Sequence, residues 1–163
     1  MAQTTQKQGW HVANWGTLGW LETGVKAIGI IVGLLAFTQT ISTGTIGLAD
    51  VPHGISVIIM ALLTLFVLGS ILLRAQQREV VSLIFAIANA LGHAGMLYYL
   101  LYTPEGQVLP IMFGIAYVLG ELVKQRFLIT SGYTEMGQQT PQMLMFSRGL
   151  MVVYVVLVVA VLL

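Results

Sequence analysis

The sequence predicts an all-α membrane protein, a polytopic bundle of five transmembrane helices with a cytoplasmic N-terminus and an external C-terminus. Three observations predict it. Of the 163 residues, 57% are apolar and 8% are charged, against about 25% charged in an average soluble domain. A soluble fold with so few charges has too little polar surface to stay dispersed, so lipid must be the solvent for most of the chain. Five runs are also long enough to cross a hydrocarbon layer, which takes about 20 residues at the helical rise. Finally, when these runs are threaded alternately through a bilayer, every Lys and Arg falls on one side.

The runs are approximately 20–41, 54–74, 80–102, 109–130 and 143–163, in a single membrane domain spanning 1–163. None alternates as a membrane strand must. Ser42-Thr43-Gly44 and Pro52-His53-Gly54 bracket the first connection, Arg74 to Glu79 forms a short polar hairpin, Thr103-Pro104-Glu105-Gly106 marks a turn, and Gly132 to Pro141 is the last polar link. Residues 1–19 read as an interfacial segment. Met1 to Gly9 is polar and is followed by no small-residue cleavage signature, so the first run is expected to be a retained span rather than a secretory signal.

With the N-terminus inside, Lys7, Lys26, Arg74, Arg78, Lys124, Arg126 and Arg148 all lie at or near the cytoplasmic face. The external connections hold only Asp50, His53 and Glu105. In a bacterium this places the chain in the cytoplasmic (inner) membrane. Trp10, Trp15 and Trp20 precede or open the first span and suit the headgroup level, as Tyr98, Tyr99 and Tyr102 do at the far end of the third.

Helices in lipid associate through small residues and polar contacts. The first span carries Glu22, Lys26, Gly29, Gly33, Ala36 and Thr40 on one stripe. The third carries Ser82, Ala86, Asn89 and His93, with Ala88 and Gly92 beside them. The fourth carries Gly114, Tyr117, Glu121 and Lys124, with Ala116 and Gly120 as a small-residue pair. The second and fifth spans are poorer in polar residues. The first, third and fourth helices are therefore expected to form the packed centre, with the fifth at the lipid-facing edge or against a partner.

An ionisable side chain inside a span is costly and is a candidate for function. Asn89 lies roughly 16 Å inward from Arg78, and Glu121 roughly 14 Å inward from Thr130, at 1.5 Å per residue. Antiparallel helices would set the two at one level, with His93 one turn further out. The ligand or proton-linked candidates are Asn89, His93, Tyr117, Glu121 and Lys124. The plainer reading pairs Glu121 with Lys124 at i,i+3 and Glu22 with Lys26 at i,i+4, the lysines reaching toward the headgroups. His93, flanked by Gly92, Ala94 and Gly95, has room for a flat haem- or chlorophyll-type macrocycle. The sequence requires no cofactor; a lipid or a macrocycle at His93 are the groups it can accommodate. Bis-His haem is disfavoured, because His53 and His93 differ in depth by roughly 13 Å.

No cysteine is present, which removes disulfides, thiolate metal sites and a Cys nucleophile. His53 and Asp50 fall short of a metal-ligand set; no nucleophile elbow, P-loop or GxGxxG occurs; and a net charge of +1 without a clustered basic face argues against nucleic acid. No catalytic residue is assigned and no metal is expected. The basic group of Arg74, Arg78, Lys124, Arg126 and Arg148 suits anionic headgroups but is also what topology demands. The expected partners are the lipid bilayer and other membrane subunits or further copies of the chain. The leading expectation is an accessory or structural subunit of a membrane complex, holding lipid or pigment. The alternatives are a small proton-linked transporter or channel using the Asn/His/Glu/Lys cluster, and an intramembrane lipid-modifying enzyme. The short likeness of Glu22–Lys26 to Glu121–Lys124 is too slight to make an inverted repeat.

Overall fold

Lipid offers no hydrogen-bond partners, so each apolar run must satisfy its own backbone, and a helix does so within the segment. A computed structural model describes residues 9–10, 12, 16–42, 54–102, 106–131 and 140–163. Those residues form five helices: α1 (Gly16–Ser42), α2 (Gly54–Gln77), α3 (Val80–Tyr102), α4 (Val108–Ser131) and α5 (Thr140–Leu162). Each is long and apolar enough to span a membrane. The helices outrun the apolar stretches at several ends, because backbone pairing continues into the headgroup region. Thus α1 begins at Gly16, inside the segment expected to be interfacial, and α2 continues to Gln77. Thr140 followed by Pro141 opens α5, where proline's missing N–H costs nothing.

The helices close into a ring. Around it, α1 packs between α3 and α4, α4 packs on α5, and α2 packs on α3; the seam between α2 and α5 closes the circle over a much smaller contact than the others. The hairpins α2–α3 and α4–α5 thus clasp α1. The turn between α2 and α3 is two residues long: Arg78 adopts a left-handed φ of 56° and its N–H donates to the Ala75 carbonyl at 3.2 Å. That conformation usually falls to glycine, and here it leads the chain directly into Glu79 and α3.

Small residues set the spacing of α1 against its neighbours. Gly33 rests on the backbone of Gly92, Gly92 on the backbone of Ile30, and Gly95 on the Gly33 carbonyl. A Cβ at Gly33 would overlap the Gly92 carbonyl group. On the other side of α1, Gly29 receives the Tyr117 ring and Gly120 the Lys26 stem. Ala116 is buried, whereas Ala88 is only half-buried. These close approaches matter because helix association in lipid gains little from hydrophobicity and rests on van der Waals contact. The outward faces are mostly apolar, from Ile28 and Ile31 on α1 to Leu62 and Leu65 on α2 and Val152 on α5.

As expected, α1, α3 and α4 are the most buried helices and α5 the least, but α5 is not a bare edge. Helix α5 contributes Ser147, Tyr154, Leu157 and Val161 to the interior. Its inward positions recur at three- and four-residue steps, a stripe concealed by the valines around it. Tyr99, expected at the interface, is instead in the core beside Met96 and Leu100. Tyr98 stays half-buried against Tyr102 and Phe37. Trp10 and Trp20 are exposed, while Trp15 lies outside the described residues.

Gly33→Leu is expected to lower the yield of monodisperse, detergent-solubilised protein sharply, since overpacking costs about 1–3 kcal/mol even where neighbours can shift, and here the neighbour is backbone. Gly69→Leu adds the same side chain where nothing lies within 4 Å. Gel filtration of both variants should separate them; equal yields would contradict this packing.

Candidate functional site

The polar stripes meet in one half of the ring, the half that carries Arg74, Arg78 and Lys124 at its end. Helix α1 brings Glu22 and Lys26, one helical turn apart. Helix α4 brings Glu121, and α5 brings Ser147 from the opposite wall. Lys26 Nζ donates to Glu121 Oε1 at 2.6 Å and to Glu22 Oε1 at 2.8 Å. Ser147 Oγ donates to Glu121 Oε2 at 2.6 Å. Lys26 is 7% exposed and Glu121 2%, so this is an interior ion-pair network rather than a surface one. Gly120 makes it geometrically feasible, because the Lys26 stem lies where its side chain would be.

The sequence pattern suggested different pairings. Lys26 does pair with Glu22 along its own helix, but it does not reach the headgroups: it turns inward and also takes Glu121. Lys124, three residues beyond Glu121, forms no ion pair with it. Both Glu121 oxygens are already engaged, by Lys26 and Ser147. A lysine on a neighbouring helix can approach the carboxylate across the ring interior, whereas one on the same helix is limited to the helix's own flank.

One turn deeper lies a second, largely aromatic layer. Tyr117 O–H donates to Asn89 Oδ1, so Asn89 meets Tyr117 rather than Glu121. His93 is fully buried. Its Nδ1 lies 2.8 Å from the Asn89 carbonyl and its Nε2 lies 2.8 Å from Tyr154 Oη. A carbonyl can only accept, so Nδ1 carries the proton and neutral His93 accepts the Tyr154 O–H at Nε2. The Phe113 and Tyr117 rings pack edge-on at centroid distances of 5.0 and 4.7 Å, and Tyr117 stacks on Tyr154 at 4.8 Å. With both nitrogens engaged and aromatic rings around it, His93 has no free face for the macrocycle that its small neighbours suggested. Nor does it converge on Glu121.

Between this layer and the basic end lies a cavity of about 330 Å³. Glu22, Lys26, Glu121 and Lys124 line it, together with Arg74 and Glu79 from the α2–α3 hairpin; Asn89, Tyr117 and Tyr154 form its inner end. Phe66, Phe146 and Leu150 supply an apolar wall. Of the five candidates from the sequence, Asn89, Tyr117, Glu121 and Lys124 border this space, and His93 stands behind it. Ser147, Tyr154 and Glu79 were not among them. The seven-residue spacing of Ser147 and Tyr154 marks them as one face, and it is the signal that could have found them. Glu79 resembles a solvated hairpin residue in sequence, and only the fold turns it inward.

Among the described residues, no group of three His, Cys, Asp or Glu side chains is placed to hold a metal ion. Asp50, His53 and His11 lie outside the described residues. Comparison of the chain with protein-family models, curated proteins and solved structures finds no match.

Removing one member of a buried ion pair typically costs about 3–5 kcal/mol, and the network makes the losses unequal. Lys26→Met strands two carboxylates. Glu121→Gln leaves Lys26 its bond to Glu22. The expected order of thermal stability in detergent is wild type, then Glu121→Gln, then Lys26→Met, with Lys26→Met/Glu121→Leu recovering part of the loss. A Lys26→Met protein as stable as wild type would mean that the pair is not formed in the folded chain.

Proposed function

We propose that this integral membrane protein is a binding protein of the carrier type, which takes the polar part of a small molecule into the cavity between the Lys26–Glu121 pair and the basic end. The observation that carries this reading is the one-ended cavity. It brings three carboxylates and three cationic side chains to one interior space, and it ends at the layer of Asn89, Tyr117 and Tyr154. Beyond that layer the ring is filled by Phe113, Met60, Met96, Leu100 and Leu157. An interior site reached from one side and sealed on the other is what one state of an alternating-access carrier requires. Under the orientation expected from the Lys and Arg distribution, the reachable side is cytoplasmic.

An accessory subunit needs only outward faces suited to a partner, and the apolar faces here suit acyl chains equally well. The buried charges are outside its explanatory reach. A lipid-modifying enzyme with Glu121 and His93 as acid and base has the opposite difficulty: His93 bonds to Tyr154 and to a backbone carbonyl, away from the carboxylate. Of the cluster named for the transporter alternative, Asn89, Glu121 and Lys124 line the cavity and His93 stands behind it, so this reading keeps three of its four groups at one interior space.

Ser70 lines the cavity from α2 and is only half-buried, so Ser70→Phe fills the space with little disturbance to packing. Mass spectrometry of denatured, purified protein is expected to find a co-purified small molecule with wild type and several-fold less with Ser70→Phe, at matched helicity and gel-filtration profile. Equal recovery from both proteins, or none from either, would overturn the reading.

A further inference from the structure

Six charged side chains line the cavity, and their partners can be assigned in turn. Lys26 is shared by Glu22 and Glu121, and Glu121 has Ser147 as well. Arg74 donates to Gln77 at 3.0 Å. Glu79 is the exception among the carboxylates. It is 5% exposed, yet its Oε1 is buried without a hydrogen-bond partner among the described residues. Lys124 is its counterpart among the cations, since it faces the same cavity and forms neither a salt bridge nor a hydrogen bond with a described residue. An unpaired carboxylate oxygen away from water is among the costliest groups a fold can hold. Here such an oxygen and an uncommitted ammonium border one cavity without meeting each other.

We propose that the cavity receives a zwitterionic molecule, with its cationic ammonium on Glu79 and its anionic group on Lys124. The proposal deepens the carrier reading and rests on it. A purely anionic ligand would satisfy Lys124 and leave Glu79 unpaired, and a simple cation would do the reverse. The aromatic side chains of Phe66, Phe85, Phe127 and Phe146 around the same space suit an ammonium or its alkyl substituents. Two sources share this chemistry: a soluble aminophosphate-like solute, or the headgroup of a zwitterionic lipid. The lipid has a path of its own. Phe66 and Phe146 meet across the thin α2–α5 seam with ring centroids 5.3 Å apart, each 45% exposed, so a headgroup can enter sideways by parting two rings.

The test uses the full chain in nanodiscs, with phosphorylethanolamine as the soluble probe and glycerol phosphate as its anionic control, titrated by calorimetry. Phosphatidylethanolamine against phosphatidylglycerol, counted by native mass spectrometry, forms the lipid arm. Wild type is expected to prefer the zwitterion in at least one arm, and the arm that responds identifies the source. Glu79→Gln should weaken the zwitterion by about tenfold or more, the scale of a lost charge-assisted bond, while leaving the anionic control unchanged. Glu79→Gln removes an unpaired charge, so it is expected to fold at least as well as wild type. Lys124→Gln tests the other end independently and should weaken zwitterion and anion alike. If Ser70→Phe blocks binding but Glu79→Gln leaves the preference for zwitterion unchanged and Lys124→Gln leaves the affinity for both probes unchanged, the carrier reading stands and this inference fails. If Ser70→Phe also changes nothing, both fail.

Discussion

The Lys26 ammonium, held between Glu22 and Glu121 inside the ring, is the constraint around which the fold is arranged. A bare ammonium in a low-dielectric interior is untenable, so α1 and α4 must approach until Nζ lies 2.6 Å from Glu121 Oε1. That approach requires a neighbour without a side chain where the Lys26 stem crosses α4, and Gly120 provides it. The second Glu121 oxygen then needs a donor, which Ser147 brings from α5. Three helices are thus tied through one carboxylate. The glycine contacts of α1 with α3 set the opposite flank, and α2 closes the circle through its hairpin to α3.

The ring that results has two unlike halves. One is dry, filled by Val32, Ala36, Met60, Met96 and Leu100. The other is polar and contains a cavity. His93, Tyr117, Tyr154 and Asn89 form the boundary between them, and hydrogen bonds join Tyr117 to Asn89 and Tyr154 to His93 without reference to the ion-pair network. The boundary is a packed aromatic partition across the ring. A molecule in the cavity meets charged groups on its sides and aromatic rings at its far end, and any passage beyond that point requires the aromatic layer to repack.

The sequence made the lipid solvent, the five spans and the inward stripes of α1, α3 and α4 legible, because small and polar residues at three- and four-residue spacings carry that information directly. The cyclic order of helices was not legible: no sequence term says that α1 sits between α3 and α4 instead of beside α2. The pairing of Lys26 with Glu121 was hidden for the same reason, since i,i+3 and i,i+4 rules describe one helix and this contact joins two. The inward stripe of α5, the least buried helix, went unread because Val and Leu fit both lipid and core, so the face marked by Ser147 and Tyr154 carried too little contrast. Glu79 is the extreme case. A glutamate in a polar hairpin is ordinarily solvated, and the left-handed Arg78 that turns it inward has no residue-type signature.

Buried ion pairs are poor devices for stability, because apolar residues of equal volume usually do as well or better. If the ring needed only to pack, Leu or Met at positions 26 and 121 with Ala at 147 would hold it together without desolvating anything. The charges are instead gathered in one half, around one space, while the other half buries no charged side chain among the described residues. A structural role for the network predicts that its groups should be fully matched, and for Lys26, Glu22, Glu121 and Ser147 they are. It does not account for Glu79, whose Oε1 has no hydrogen-bond partner among the described residues. A group from outside the chain, a water or the ligand proposed above, would supply the missing donor. The mismatch therefore falls at the basic end of the cavity, where such a group would arrive.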